Sequence, residues 1–286
     1  MAQSLPSRKE LRLPAPLGGP HKLFDGSFII EFLQVPPGLD ATVLMRATYV
    51  GGHDATKLGK AHPQTPPLHI HFHQAESFIV ESGAIGTTTT YDVIDTIHTT
   101  TRAYPQKPPR PGLSPPLPSR TANGVTVIPP YTPHTFWPVS PDHPFWSTAQ
   151  GRVYESQQPS GRNSDTTLLI WGHPKTRNDP AKGTLTTDFP PDMDAAFFLA
   201  LLSLVDALHG QRLNMSPSLG ATLMAMQTAS GASLLVAPTA WWLGPLRWAI
   251  PWSGQVVMEW IRRVFDGKSP TQVVEETIER EVVRKR

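Results

Sequence analysis

Cysteine is absent from the 286 residues. Disulfide staples, thiolate metal sites and a cysteine nucleophile are therefore excluded, and any metal must rest on nitrogen and oxygen ligands. Charge is scarce too: 17% of residues are Asp, Glu, Lys or Arg, and the formal net charge is +2. No long basic run precedes the terminal Arg284, Lys285 and Arg286, so nucleic acid is not an expected partner. The opening MAQSLPSRKELRLPAPLGGP lacks the continuous apolar stretch of a secretory signal. With no cysteine to oxidise, the expected location is cytoplasmic, with membrane association left open by the C-terminal part.

Proline is what the chain has in excess, 32 residues against an average usage of about 5%. Proline removes a backbone donor and breaks helices and central strands, which predicts short strands joined by stiff loops. With 39% hydrophobic residues the chain still has enough apolar surface for a sizeable core.

Residues 1–23 read as a flexible, proline-rich arm. From 24 to 174, runs of β-branched and aromatic residues alternate with turn signals. The expected strands are Phe28–Leu33, Ala41–Val50, Leu68–His73, Ser77–Glu81, Ala84–Val93, Thr96–Ala103, Gly124–Ile128, His134–Pro138, Phe145–Ser156 and Thr166–Trp171. About ten short strands with no helical pattern between them predict a mainly β sandwich or barrel. Residues 104–120 hold seven prolines and are expected to form no strand, being an exposed insertion or a flap over a cavity mouth.

Residues 175–286 change character and predict a hydrophobic helical extension. Pro190, Pro191 and Asp192 open a helix over Met193–His209 that is apolar nearly all round and stops at Gly210, so it must be covered. No charge occurs from Leu213 to Leu246. Leu219–Ala237 approaches the length of a membrane span, but Gln227, Thr228, Ser230, Gly231 and Ser233 lower its hydropathy and a span is not expected. The tryptophan-rich stretch 240–252 has two readings. The preferred one is a hydrophobic clamp on the barrel or on a second copy; the other is a peripheral membrane contact. Helices over Val256–Phe265 and 271–286 complete the expected tail.

The chemistry concentrates in two segments. In the first, Pro67 to Gly83, strand alternation puts His69 and His71 on one face, with His73 joining them if the strand runs that far. A turn over Phe72–Ala75 would bring Glu76 back beside them, which makes half of a metal cage. In the second, Gly124 to Phe136, a strand and a proline turn lead into His134, placed to supply a further ligand from across a barrel. His21, His53, His62, His98, His143, His173 and His209 have no such spacing and read as structural or exposed.

These segments resemble the two motifs of the cupin superfamily. His69, His71, Glu76 and Gly83 stand at the spacing of the first motif, and Gly124, Pro129 and His134 at that of the second. Pro63 replaces the usual opening glycine, Tyr131 stands in the turn where glycine is common, and Pro138 takes the place of the closing asparagine. The resemblance covers about half the chain. It implies a double-stranded β-helix, the jelly-roll barrel of cupins, here with an α-helical C-terminal extension. It also implies one divalent metal on His69, His71, Glu76 and His134. His73, Phe78 and Phe136 would stand around that metal or its substrate, and a homodimer is expected, since cupin dimers are common. The proline-rich style and helical tail further resemble cupins encoded near fungal natural-product pathways.

Three imidazoles and a carboxylate leave two of six octahedral positions free, which suits a small molecule, dioxygen or both. A greasy barrel around one metal fits a small, partly hydrophobic metabolite as substrate. The first expectation is therefore a dioxygenase-type oxidoreductase with Fe2+. A non-redox isomerase, cyclase or decarboxylase using Zn2+, Mn2+ or Ni2+ as a Lewis acid is the second, and a non-catalytic binding cupin the third. Tyr131, three residues before His134, is a candidate proton donor, with packing against its proline neighbours as the plainer alternative.

Overall fold

Short apolar and β-branched runs, several of them buried along their whole length, build two facing antiparallel sheets. The computed structural model describes residues 16–37, 39, 41–108, 117–173, 176–178, 185–187, 195–268 and 272–277. Its strands, in chain order, are β1 (Pro16–Leu23), β2 (Phe28–Leu33), β3 (Leu44–Tyr49), β4 (His69–His71), β5 (Ala75–Ser82), β6 (Ala84–Thr89), β7 (Ile94–Thr99), β8 (Ala103–Pro105), β9 (Ser119–Arg120), β10 (Thr126–Ile128), β11 (His134–Pro138), β12 (Thr166–His173), β13 (Thr176–Asn178), β14 (Leu185–Thr187) and β15 (Ala232–Leu234). The helices are α1 (Asp54–Lys57), α2 (Ala149–Ser156), α3 (Ala195–His209), α4 (Pro217–Ala229) and α5 (Leu246–Asp266). One sheet runs β1-β2-β3-β12-β5-β10-β9, the other β15-β4-β11-β6-β7-β8, and β13 pairs with β14 apart from both.

Inward residues of the two sheets meet in the largest core. Phe28, Ile30 and Phe32 of β2, Ala47 and Tyr49 of β3, Phe78 and Val80 of β5 and Leu168 of β12 are each at most 2% exposed, and they share this core with Ile85 of β6 and Phe136 of β11 from the other sheet. Each large apolar side chain buried this way contributes roughly 1.5–3 kcal/mol. Two glycines are fixed by this packing. At Gly86 an added methyl would lie 2.4 Å from the Trp137 ring, and at Gly83 (φ +65°) it would lie 2.4 Å from Thr166 Oγ1.

Several expectations change. Pro16–Leu23 is not part of an arm: it pairs with β2 as an edge strand, where proline's missing donor is tolerated, and its register slips between Pro16 and His21. Residues 1–15 lie outside the described residues. Phe145–Ser156 is helical rather than extended. Pro144 opens a 3-10 turn, and the Gly151 N–H donates to Thr148 Oγ1 at 3.0 Å to cap α2. The proline-rich segment does contribute strands, β8 and β9, each at the edge of its sheet; 109–116 lies outside the described residues. β4 stops at His71, because the backbone bends at Phe72 and His73.

The tail is joined to the barrel rather than appended to it. Phe198, Leu199, Leu202 and Val205 of α3 pack against the barrel core, and Asp206 Oδ1 accepts the Phe24 N–H at 2.6 Å. The opposite side of α3 forms a second core with Leu219 and Met226 of α4. β15 then adds to the edge of β4, and Trp248 and Trp252 of α5 pack on Phe72. Among the described residues no helix is long and apolar enough to cross a membrane.

Candidate metal centre

Three strands bring the polar cluster together inside the barrel. β4 lies between β11 and β15, with His134 opposite His69. Glu76, on β5 of the other sheet, stands between Ile128 of β10 and Gly172 of β12. One ligand atom from each of His69, His71, Glu76 and His134 lies within 4.8 Å of the others. Ring centroids are 4.4 Å apart for His69 and His134, 5.0 Å for His69 and His71, and 5.3 Å for His71 and His134. His134 is deeply buried, while the side chains of His71 and Glu76 keep 12% and 19% of their exposure. The cluster is thus enclosed but within reach of solvent.

Backbone carbonyls orient the imidazoles. His69 Nδ1–H donates to the Pro67 carbonyl and His134 Nδ1–H to the Thr132 carbonyl, both at 2.9 Å. A carbonyl can only accept, so Nδ1 carries a proton and each Nε2 is turned to the shared space, that of His134 within hydrogen-bond distance of Glu76 Oε2. Burial, and next the nearby His134, hold His69 well below the usual histidine range. Burial likewise lowers His71 to about 4. Both rings are neutral at neutral pH, the form that binds metal. Burial opposes the charge on Glu76, but the hydrogen bond from His134 and the proximity of His134 and His71 hold its carboxyl below the ordinary value.

His134 Nε2 lies 2.9 Å from Glu76 Oε2, and His71 Nε2 lies 3.7 Å from the same oxygen. With Nδ1 already protonated, a lone pair on Nε2 would face a carboxylate oxygen. Such an arrangement holds only with a cation between them, either a proton or a metal ion. Two further nitrogens converge on the same space, which is more coordination than one proton uses. The residues present therefore fit a divalent metal.

These four side chains come from three strands of the two motif segments and stand inside a two-sheet antiparallel barrel. The fold is a cupin barrel. No protein-family model matches the chain, and no curated protein matches it. Among solved structures it is similar to CapF, the capsular polysaccharide assembling protein of Staphylococcus aureus, at 13% identity and TM-score 0.28, over 54% of this chain and 28% of that one. It is similar to the Cnp3 cupin domain of Schizosaccharomyces pombe at 10% identity and TM-score 0.26, over 54% of this chain and 71% of that one. A recombinant oxalate oxidase complexed with glycolate gives 14% identity and TM-score 0.28, over 57% and 59%. The chain thus spans less than a third of the length of that CapF chain.

The other expected site residues separate into two groups. Phe78 and Phe136 line the cupin barrel beside the cluster, 5.1 Å apart, with Phe136 6.1 Å from His134. His73 is exposed beyond the end of β4 and takes no place among the ligands. Tyr131 is 48% exposed, and its ring contacts are Phe72 at 5.6 Å and Trp248 at 6.3 Å, in the layer between barrel and tail. Its N–H donates to the His71 carbonyl at 2.8 Å, so its backbone, at φ +60°, helps hold a ligand strand while its ring faces the tail.

Sequence reasoning missed Gln74. Its carboxamide is buried, and a methyl placed on Gly172, the residue opposite Glu76, would fall 1.4 Å from Gln74 Nε2. Gln74 thus fills the space that Gly172 leaves in the wall beside Glu76, and its Oε1 has no hydrogen-bond partner among the described residues. The only sequence signal was a glutamine two residues before a ligand. His98 was read as structural or exposed and is the former: it is buried against Phe78 and hydrogen-bonded to Thr87 at 2.8 Å.

Proposed function

We propose that this protein is a metal-dependent cupin enzyme, an oxidoreductase of the dioxygenase type, acting on a small and partly hydrophobic metabolite. The observation that carries this reading is the convergence of His69, His71, His134 and Glu76 within 4.8 Å at a partly open position beside the barrel's apolar core. Four protein ligands leave positions free on a five- or six-coordinate ion, the property that separates a catalytic metal from a closed structural one. When bound there, Fe2+ would supply one-electron and oxygen chemistry. The chain's own residues do the rest. The Pro67 and Thr132 carbonyls set the ligand tautomers, Glu76 supplies the negative charge, and Phe78 and Phe136 keep water from the inner side and favour apolar substrate groups.

The chain loaded with Fe2+ without oxygen and then exposed to nitric oxide should give the EPR signal of a high-spin iron–nitrosyl adduct. That signal requires an open position next to nitrogen and oxygen ligands. An iron-loaded protein with no such signal would make the metal structural. A protein that takes up Zn2+ or Ni2+ but no iron would leave the Lewis-acid isomerase, cyclase or decarboxylase as the reading.

A further inference from the structure

Helix α5 is amphipathic in the reverse of the usual sense. Two of its polar side chains are turned toward the protein: Gln255 is 2% exposed and Arg262 4%. Gln255 bonds the backbone of β15, its Nε2 donating to the Ala232 carbonyl at 3.2 Å and its Oε1 accepting the Leu234 N–H at 3.4 Å. The face turned to solvent is the apolar one. Leu246, Ile250, Val257, Trp260 and Val264 recur at helical spacing and are 50–65% exposed. Just before the helix, the turn Trp241–Leu243 leaves Trp241 and Trp242 68% and 71% exposed. Monomeric soluble proteins seldom leave contiguous apolar patches of more than a few hundred Å2 open to water, and such a patch marks a binding surface.

Composition indicates what covers it. No Asp or Glu occurs anywhere from 207 to 258, and the cations around the face are matched, Arg212 by Asp206, Arg263 by Glu259 and Lys268 by Glu276. Arg263, one turn from Trp260, has a 71% exposed side chain, and its partner Glu259 is largely buried at 12%. Tryptophan is the residue of the membrane–water boundary, with an apolar body and one polar tip, and three of the seven exposed apolar side chains are tryptophan. A second copy suits the face less well. Ser253 and Gly254 interrupt the apolar line at mid-helix beside Pro251, where a helix–helix seam needs its knobs. Lipid adapts to such an outline.

We propose that the exposed face of α5, together with the Trp241–Trp242 turn, docks this protein peripherally on a lipid surface through its apolar side chains. The inference does not depend on the metal. It does give the tail a place in the reaction, because the opposite side of α5 presses Trp248 and Trp252 on Phe72, next to the ligand His71. A docked barrel would hold its metal strand close to where apolar metabolites partition.

The test is flotation of the full chain with vesicles of phosphatidylcholine alone and of phosphatidylcholine mixed with phosphatidylserine, with gel filtration in parallel. The wild-type chain should float with both vesicles, and to a similar extent at low and high salt, because apolar side chains carry the binding. The variant Trp241→Ser, Trp242→Ser, Trp260→Ser should lose binding about tenfold or more, with metal content and thermal midpoint unchanged. If those substitutions disturb folding, Ile250→Glu with Val257→Glu tests the same face. Wild-type protein that floats with neither vesicle, or variants of unchanged binding, would overturn the proposal. So would a dimer that ignores vesicles and that the tryptophan substitutions convert to monomer, which would give the face to a second copy.

Discussion

His62 and His98 lie in the interior beside the hydroxyls they bond, Ser27 Oγ at 3.1 Å and Thr87 Oγ1 at 2.8 Å. Burial lowers His62 to about 4 and His98 to about 3. Both are neutral in the folded protein at pH values where the unfolded chain, near 6.5, already takes up protons. The unfolded state therefore gains protons that the folded state does not as pH falls below about 6.5. Stability from these two groups is complete above that pH. It is lost toward the folded values, at up to about 1.4 kcal/mol per pH unit for each. Urea unfolding should accordingly give a lower stability at pH 5 than at pH 7. Equal stabilities would mean that both rings are solvated. Neither histidine stood out in the sequence, because burial of a single residue leaves no spacing signal. The candidate metal ligands did stand out, because alternation on a strand and a short turn fix His69, His71 and Glu76 relative to one another. For Tyr131 the sequence left two readings open, because a position in a turn does not say which way a ring faces; here the ring meets Phe72 and Trp248.

Strands with clear β-branched and aromatic runs, such as Phe28–Leu33 and His134–Pro138, form where the sequence places them. Phe145–Ser156 does not, since Pro144 and Thr148 act as helix starters and outweigh its aromatic residues. β15 could not be read at all. Three residues show no periodicity, and the partner of Ala232–Leu234 lies some 160 positions earlier in the chain. Yet β15 closes the free edge of the strand that carries two ligands, with Ala232 opposite His71 and Leu234 opposite His69. The Ser233 hydroxyl also donates to the Trp248 carbonyl at 2.9 Å, tying β15 to α5. Ser233→Pro removes a backbone donor at the centre of this pairing. The variant should lose metal affinity about tenfold or more, the range seen when the groups that orient ligands are removed. Its thermal midpoint should fall as well, read by equilibrium dialysis and calorimetry. Wild-type affinity in a folded Ser233→Pro protein would show that β4 holds its ligands without the tail.

For the whole molecule, barrel and tail act as one structure in which the tail meets the barrel three times. It does so through α3 against the core, β15 beside β4, and α5 over Phe72. The barrel was legible because its motifs recur at fixed spacing; the tail's attachments were not, because apolar helices state that they must be covered without stating by what. At this scale everything turns on whether His69, His71, Glu76 and His134 together hold one metal. Elemental analysis of protein purified without added metal, alongside single alanine variants of these four residues, tests that claim most directly. The wild-type chain should carry about one divalent metal, and iron if the centre performs dioxygenase-type chemistry. Each variant should lose most of it while remaining folded. A folded wild-type chain that takes up no metal when one is supplied, or metal content unchanged in all four variants, would contradict it.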